Sequence, residues 1–290
     1  MLWVLLARGL DYTIGKVVDK LRRVIMMSEK NVLIERKGKI AYLILNRPDK
    51  LNALSVELFH DFDMALDEIE ADNEISVVII KGSGKAFCVG YDVGSYELPS
   101  VTEDRDYLEV CTRRWIRLWE FPKPVIAQVH GHALAGGTQL LACCDIVITD
   151  KNAKFGFPSL PLGGGFVGIY WGWHVGPQRA KLLDLTAGSR ISGEEATEYG
   201  IAAKCFDGEI LEEETLKIAR GIAKTPRDVL KLKKMAHNRI MDLQGFRTGI
   251  MFGPEQDAII HTADGIKLMY QKINELGLKG AIQWFNDQEV

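Results

Sequence analysis

The 290-residue chain carries a formal net charge of −3, with 47% hydrophobic and 26% charged residues. That balance fits a globular protein with a large buried core and argues against the electropositive footprint of a nucleic-acid binder. Its five cysteines are odd in number and contain no CxxC pair, which argues against a disulfide framework or a zinc site and leaves reduced thiols.

Residues 1–10 are apolar over a run of about six, far below the ~20 needed to span a bilayer. They lack the basic start and small-residue cleavage site of a secretory signal. Val17, Val18, Leu21, Val24 and Ile25 give residues 11–25 a weak, basic amphipathic helical pattern. Residues 1–30 are expected to be a dispensable extension or an upstream start. From residue 31 the pattern is regular. Val32–Arg36 and Ile40–Leu45 are β-rich runs joined by Lys37-Gly38-Lys39, as in a hairpin. Ser55 is placed to cap a helix whose apolar face is Leu58, Phe59, Phe62, Ala65, Leu66 and Ile69.

Residues 76–80, 124–129 and 146–149 are continuous apolar runs, the mark of strands buried on both faces. Strands alternating with helices predict an α/β fold with a largely parallel sheet. From about residue 177 helical patterns dominate: 178–187, 193–200, 211–224, 226–242 and 255–276. Pro226 suits a first helical turn with Thr225 as its cap.

Two glycine-bearing turns carry the chemistry. Gly131-His132-Ala133-Leu134-Ala135-Gly136-Gly137-Thr138-Gln139-Leu140 joins an apolar strand to a helix-like run. Glycines there permit close backbone approach and expose N–H groups able to hold an oxygen that becomes anionic. The other turn, Gly82 to Asp92, matches neither the GxxxxGK[ST] nor the GxGxxG phosphate pattern. Taken together, the two turns closely resemble the crotonase (enoyl-CoA hydratase/isomerase) family. Asn46-Arg47-Pro48, Leu51-Asn52-Ala53-Leu54, Lys123-Pro124-Val125-Ile126-Ala127, Cys144-Asp145 and the run from Ala187 to Ser192 look like family positions as well, in one order over residues 31–240.

The resemblance implies a crotonase-like ββα spiral core over 31–205 and a helical C-terminal region over 206–290. It also implies an acyl-CoA substrate whose thioester enolate is held by two backbone N–H groups, those of Val89 and Gly136. Donors fixed where charge develops strengthen most in that state, worth about 3–4 kcal/mol each in well-studied sites. Lys85, Phe87, Gly90 and Tyr91 would form the CoA-thioester loop. A typical hydratase has two glutamates where this chain has Gln139 and Ser159, and neither replacement transfers a proton as a carboxylate does. Both can orient water or a substrate carbonyl.

His132 and Asp92 are the remaining proton-carrier candidates, beside bland readings as a hydrogen-bonded structural histidine and a turn cap. Glu97, Asp104, Asp106 and Glu109 lie in the segment that often borders the acyl pocket in that family, with a solvated helix face as the plain reading. His174 lies among Tyr170, Trp171 and Trp173, in packing or in a pocket wall. The expectation is an acyl-CoA lyase or isomerase that is not an efficient standard hydratase, with no metal or redox cofactor. It is expected to be cytoplasmic, a homotrimer or hexamer, and without nucleic-acid or membrane partners. The alternatives are a non-catalytic acyl-CoA-binding protein and a slow hydratase using water held by Gln139 and Ser159.

Overall fold

Strand β1 (Val32–Lys37) pairs antiparallel with β2 (Ile40–Leu45), so the hairpin read around Gly38 forms as expected. The computed structural model describes residues 30–92, 100–157, 164 and 168–288; residues 1–29, Glu97 and Ser159 lie outside them. All elements below belong to one unit, Val32–Val290. Strands β3 (Val77–Gly82), β4 (Val125–Val129), β6 (Ile146–Asp150) and β9 (Lys204–Phe206) extend the sheet in the order β1-β2-β3-β4-β6-β9, every pair beyond the hairpin being parallel. A second sheet sets β7 (Lys154–Gly156) between β5 (His132–Leu134), parallel, and β8 (Arg190–Ser192), antiparallel.

The apolar runs have no polar alternation because both faces of the large sheet are covered. Ala41, Leu43 and Leu45 of β2 point into the main core with Leu58, Phe62 and Leu66 of helix α1 (Val56–Ala71). Ile40, Tyr42 and Ile44 point the other way, with Ile79, Ile126 and Ile148, against Leu211, Leu216 and Ala219 of a C-terminal helix. The Ser55 hydroxyl accepts the Leu58 N–H, and the buried face of α1 is the set of six residues read from the sequence. Helix α2 (Val101–Glu120) links β3 to β4 and opens with a reciprocal capping box between Ser100 and Glu103. The short α3 (Gly136–Ala142) follows β5, and every one of its residues is buried.

The C-terminal part comprises α4 (Gly172–Val175), α5 (Pro177–Leu185), α6 (Gly193–Tyr199), α7 (Leu211–Ile222), α8 (Arg227–Leu243), α9 (Phe246–Ile260) and α10 (Asp264–Asn286). Two local expectations need correction. Thr225 does not cap α8: Pro226 itself takes the N-cap position with extended backbone (φ −55°, ψ 142°), its ring fixing φ, and no side chain caps the helix. The single helix expected over 255–276 is two, with Pro254 inside α9 and a break before α10, where Thr262 Oγ1 donates to Ile259 O at 2.7 Å and Ala263 is extended. No proline marks that break, Gly265 falls in the first turn of α10, and the pattern of apolar residues runs through it.

Candidate active site

The loop after β3 and the loop after β4 meet at the C-terminal ends of the parallel strands. Cys88 N–H donates to His132 O at 3.0 Å and Leu134 N–H to Cys88 O at 2.9 Å. On the other side of the same segment, Leu54 N–H donates to Gly90 O at 2.8 Å and Asp92 N–H to Leu54 O at 3.1 Å. This short ladder fixes residues 87–92 from both flanks. Among the described residues no backbone bond engages the Val89 or the Gly136 N–H.

Backbone strain sits beside these two groups. Ala135 has φ 47° and ψ −123°, a conformation costing about 1–3 kcal/mol for a residue with a Cβ. It is held by its N–H bond to Gly156 O at 3.0 Å and by Thr138, whose N–H and hydroxyl both donate to Ala135 O, at 2.8 and 2.6 Å. Gly90 has φ +99°, and a Cβ there would stand 2.8 Å from Ala135 Cβ and 2.9 Å from Gly136 N. The approach of the two loops therefore depends on a glycine at 90.

Asn52 secures the base of the first loop. Fully buried and at φ 58°, it accepts the Arg47 N–H at 2.8 Å and donates to Ser83 O and Ala86 O at 2.9 and 2.8 Å. Asn52→Ala leaves three backbone groups at the base of the loop without this partner, at a conformation that favours asparagine. A loss of about 3 kcal/mol is expected in chemical denaturation, together with lower turnover.

Tyr91 and Gln139 are brought together from 48 positions apart: the Tyr91 hydroxyl donates to Gln139 Oε1 at 2.7 Å, and Trp115 Nε1–H to the Tyr91 hydroxyl at 3.3 Å. The Tyr91 ring covers the Gly136 Cα, leaving 2.6 Å where a Cβ would be. Burial pushes the phenol well above its ordinary value, so it stays protonated and acts as a donor. Gln139 is fully buried. Tyr91→Phe should lower turnover by roughly tenfold, the effect of one orienting hydrogen bond, with circular dichroism unchanged.

The other candidates take different places. Asp92 forms an ion pair with Arg47 at 2.9 Å; the turn that follows it lies outside the described residues. His132 is half-buried, and among the described residues its buried Nδ1 has no hydrogen-bond partner. His130 Nε2 meets Gly84 O at 3.0 Å. Lys85 is exposed, whereas Phe87 is fully buried, so its ring packs the core below the loop. Asp104 is buried, not solvated, against His261 Nδ1 at 2.6 Å; Asp106 and Glu109 pair with arginines of their own helix. Burial raises the Cys88 thiol to about 12 and Cys111 to about 11, which removes both as neutral-pH nucleophiles. Among the described residues no group of His, Cys, Asp and Glu is arranged to hold a metal ion.

The sequence model of the enoyl-CoA hydratase/isomerase family matches residues 35–251. The chain belongs to the enoyl-CoA hydratase/isomerase family. It is 36% identical over 219 residues to a short-chain-enoyl-CoA hydratase of Clostridium acetobutylicum, covering 74% of this chain and 84% of that one. It is 34% identical over 241 residues to a crotonyl-CoA hydratase of Syntrophomonas wolfei, covering 79% and 92%. The crystal structure of an enoyl-CoA hydratase/isomerase from Xanthobacter autotrophicus superposes with a TM-score of 0.84 at 33% identity, covering 89% of this chain and 97% of that one. Membership in the enoyl-CoA hydratase/isomerase family accounts for the spiral α/β core, the helical C-terminal part and the order of the motifs.

Proposed function

We propose that the chain is an acyl-CoA-transforming enzyme that works through a thioester enolate, with the Val89 and Gly136 N–H groups as the oxyanion donors. The observation that carries this reading is that, among the described residues, no backbone bond engages these two N–H groups, which lie on two loops locked together by Cys88, His132 and Leu134. A thioester oxygen gains negative charge when the bond at Cα is broken or made. Donors already fixed in place need no reorganisation at that moment. Lys85, exposed at the first loop, is suited to the CoA moiety.

The names of the relatives point to hydration, but the Gln139 side chain argues for different chemistry. An amide held by a neutral phenol can align water or a carbonyl and cannot exchange a proton as a glutamate does. Isomerisation, decarboxylation or C–C cleavage of an acyl-CoA fits this better than rapid hydration, with His132 and Asp92 as proton-carrier candidates and Ser159 as a second polar group. A cytoplasmic trimer or hexamer is part of the same proposal.

A panel of acyl-CoA esters followed by mass spectrometry in deuterated water tests the reading. Mass change or deuterium uptake at Cα is expected for at least one ester. Tight binding of every ester with neither change would leave a non-catalytic acyl-CoA-binding protein. Crotonyl-CoA hydration at the rate of a dedicated hydratase would overturn the reading of Gln139.

A further inference from the structure

Three helices meet where α9 ends and α10 begins. His261, the C-terminal cap of α9, sets its Nδ1 2.6 Å from Asp104 Oδ2 of α2 and its Nε2 3.9 Å from Asp257 Oδ1 of α9. Both carboxylates are buried, and the imidazole keeps 11% of its side-chain surface exposed. From α10, the Tyr270 ring meets the His261 ring edge to face, with centroids 6.4 Å apart. Burial and the charges of Asp104 and Asp257 push the Tyr270 phenol up to about 12. The neighbouring titratable groups of the three helices are engaged or exposed: Arg105 pairs with Asp106 and Glu109, Tyr107 hydrogen-bonds the Cys111 thiol, Lys267 pairs with Asp264, and Glu255 is exposed.

An imidazole is the side chain whose ordinary value, about 6.5, lies in the neutral range. A carboxylate beside each ring nitrogen favours the imidazolium, and so does the C-terminal end of a helix. Charged, His261 turns an N–H toward each carboxylate. Neutral, it has one N–H and turns a bare nitrogen toward the other carboxylate. The folded chain therefore keeps this proton to higher pH than the unfolded chain. The attraction is complete at pH 6 and is lost as pH rises through the raised value. Little else holds α10: of its 23 residues Met269, Tyr270 and Ala281 are buried, and Tyr270 belongs to the cluster.

We propose that His261 is a pH-operated latch, clasped between Asp104 and Asp257, that holds α10 against α2 and α9 up to neutral pH and releases it in mild alkali. The latch stands apart from the Val89–Gly136 loops and does not rest on the reading of their chemistry.

Hydrogen–deuterium exchange of the full chain at pH 6 and pH 9, expressed as protection factors so that the intrinsic pH dependence cancels, tests it. Amides at the start of α10 should lose protection at pH 9 by about tenfold for each unit by which folding raises the imidazole, with those of α1 unchanged. His261→Lys, which stays charged at pH 9, should keep the pH 6 protection at both values. His261→Gln should show the low protection at both. Equal protection of α10 at the two pH values in the parent, a loss shared by α1, the parent's loss persisting in His261→Lys, or pH-dependent protection in His261→Gln would each overturn the proposal. Should His261→Gln fail to fold, the parent and the lysine variant still decide it.

Discussion

Gly90→Ala should lower kcat/KM by about 10²–10³, the usual effect of disabling one oxyanion donor. The added Cβ would stand 2.9 Å from Gly136 N and 3.1 Å from Leu134 O, so the two loops must separate. The φ of +99° adds strain of about 1–3 kcal/mol, which lowers the melting temperature by several degrees but leaves the sheet intact. Steady-state kinetics on whichever acyl-CoA the panel identifies, with circular dichroism as the folding control, checks this. A larger loss in kcat than rise in KM is expected, because the donors act on the enolate more than on the bound thioester. Full activity in a folded Gly90→Ala protein would show that the spacing of these loops is unimportant.

The largest stability effect is expected at Lys234. Its ammonium is buried against Asp145, and Asp145 also accepts the Val125 N–H at 2.7 Å. Lys234→Met leaves a buried carboxylate without its cation, a change that costs about 3–5 kcal/mol. The pH dependence has a definite sign. Burial raises the Asp145 carboxyl above its ordinary 3.8, against the pull of Lys234; without the lysine the rise is larger. The folded variant then holds a proton that the unfolded chain releases, so its stability falls as pH rises from about the ordinary carboxylate value through the raised one. Urea denaturation of parent and variant should show a small difference in acid and the full difference at neutral pH. An equal deficit at every pH would assign the loss to packing alone.

Elements set by local chemistry were legible in the sequence. The Lys37–Lys39 turn, the Ser55 cap and the apolar face of α1 depend on residues a few positions apart. The runs of β3, β4 and β6 showed burial on both sides without showing their neighbours, which the βαβ pattern supplied. The α9–α10 break was hidden because its apolar spacing continues across His261.

In the site, the two loops were legible as glycine-bearing turns. Their locking was not. Asn52 reaches carbonyls 31 and 34 residues away, Tyr91 reaches Gln139, and Asp104 meets His261 across 157 residues. Such pairs arise only after the sheet has placed its loops, and no local spacing records them. The resemblance marked Asn52 and Tyr91 as family positions without giving Asn52 its three backbone bonds or Tyr91 its hold on Gln139.

The central claim is that two backbone N–H groups polarise a thioester oxygen. An isotope-edited infrared difference spectrum of a bound acyl-CoA, labelled at the thioester carbonyl, measures that polarisation directly. The carbonyl stretch should move to lower frequency than in water on binding to the parent protein, and return toward the water value in Gly90→Ala. A band unshifted from water in the parent complex, with saturation shown independently, would contradict the assignment of Val89 and Gly136.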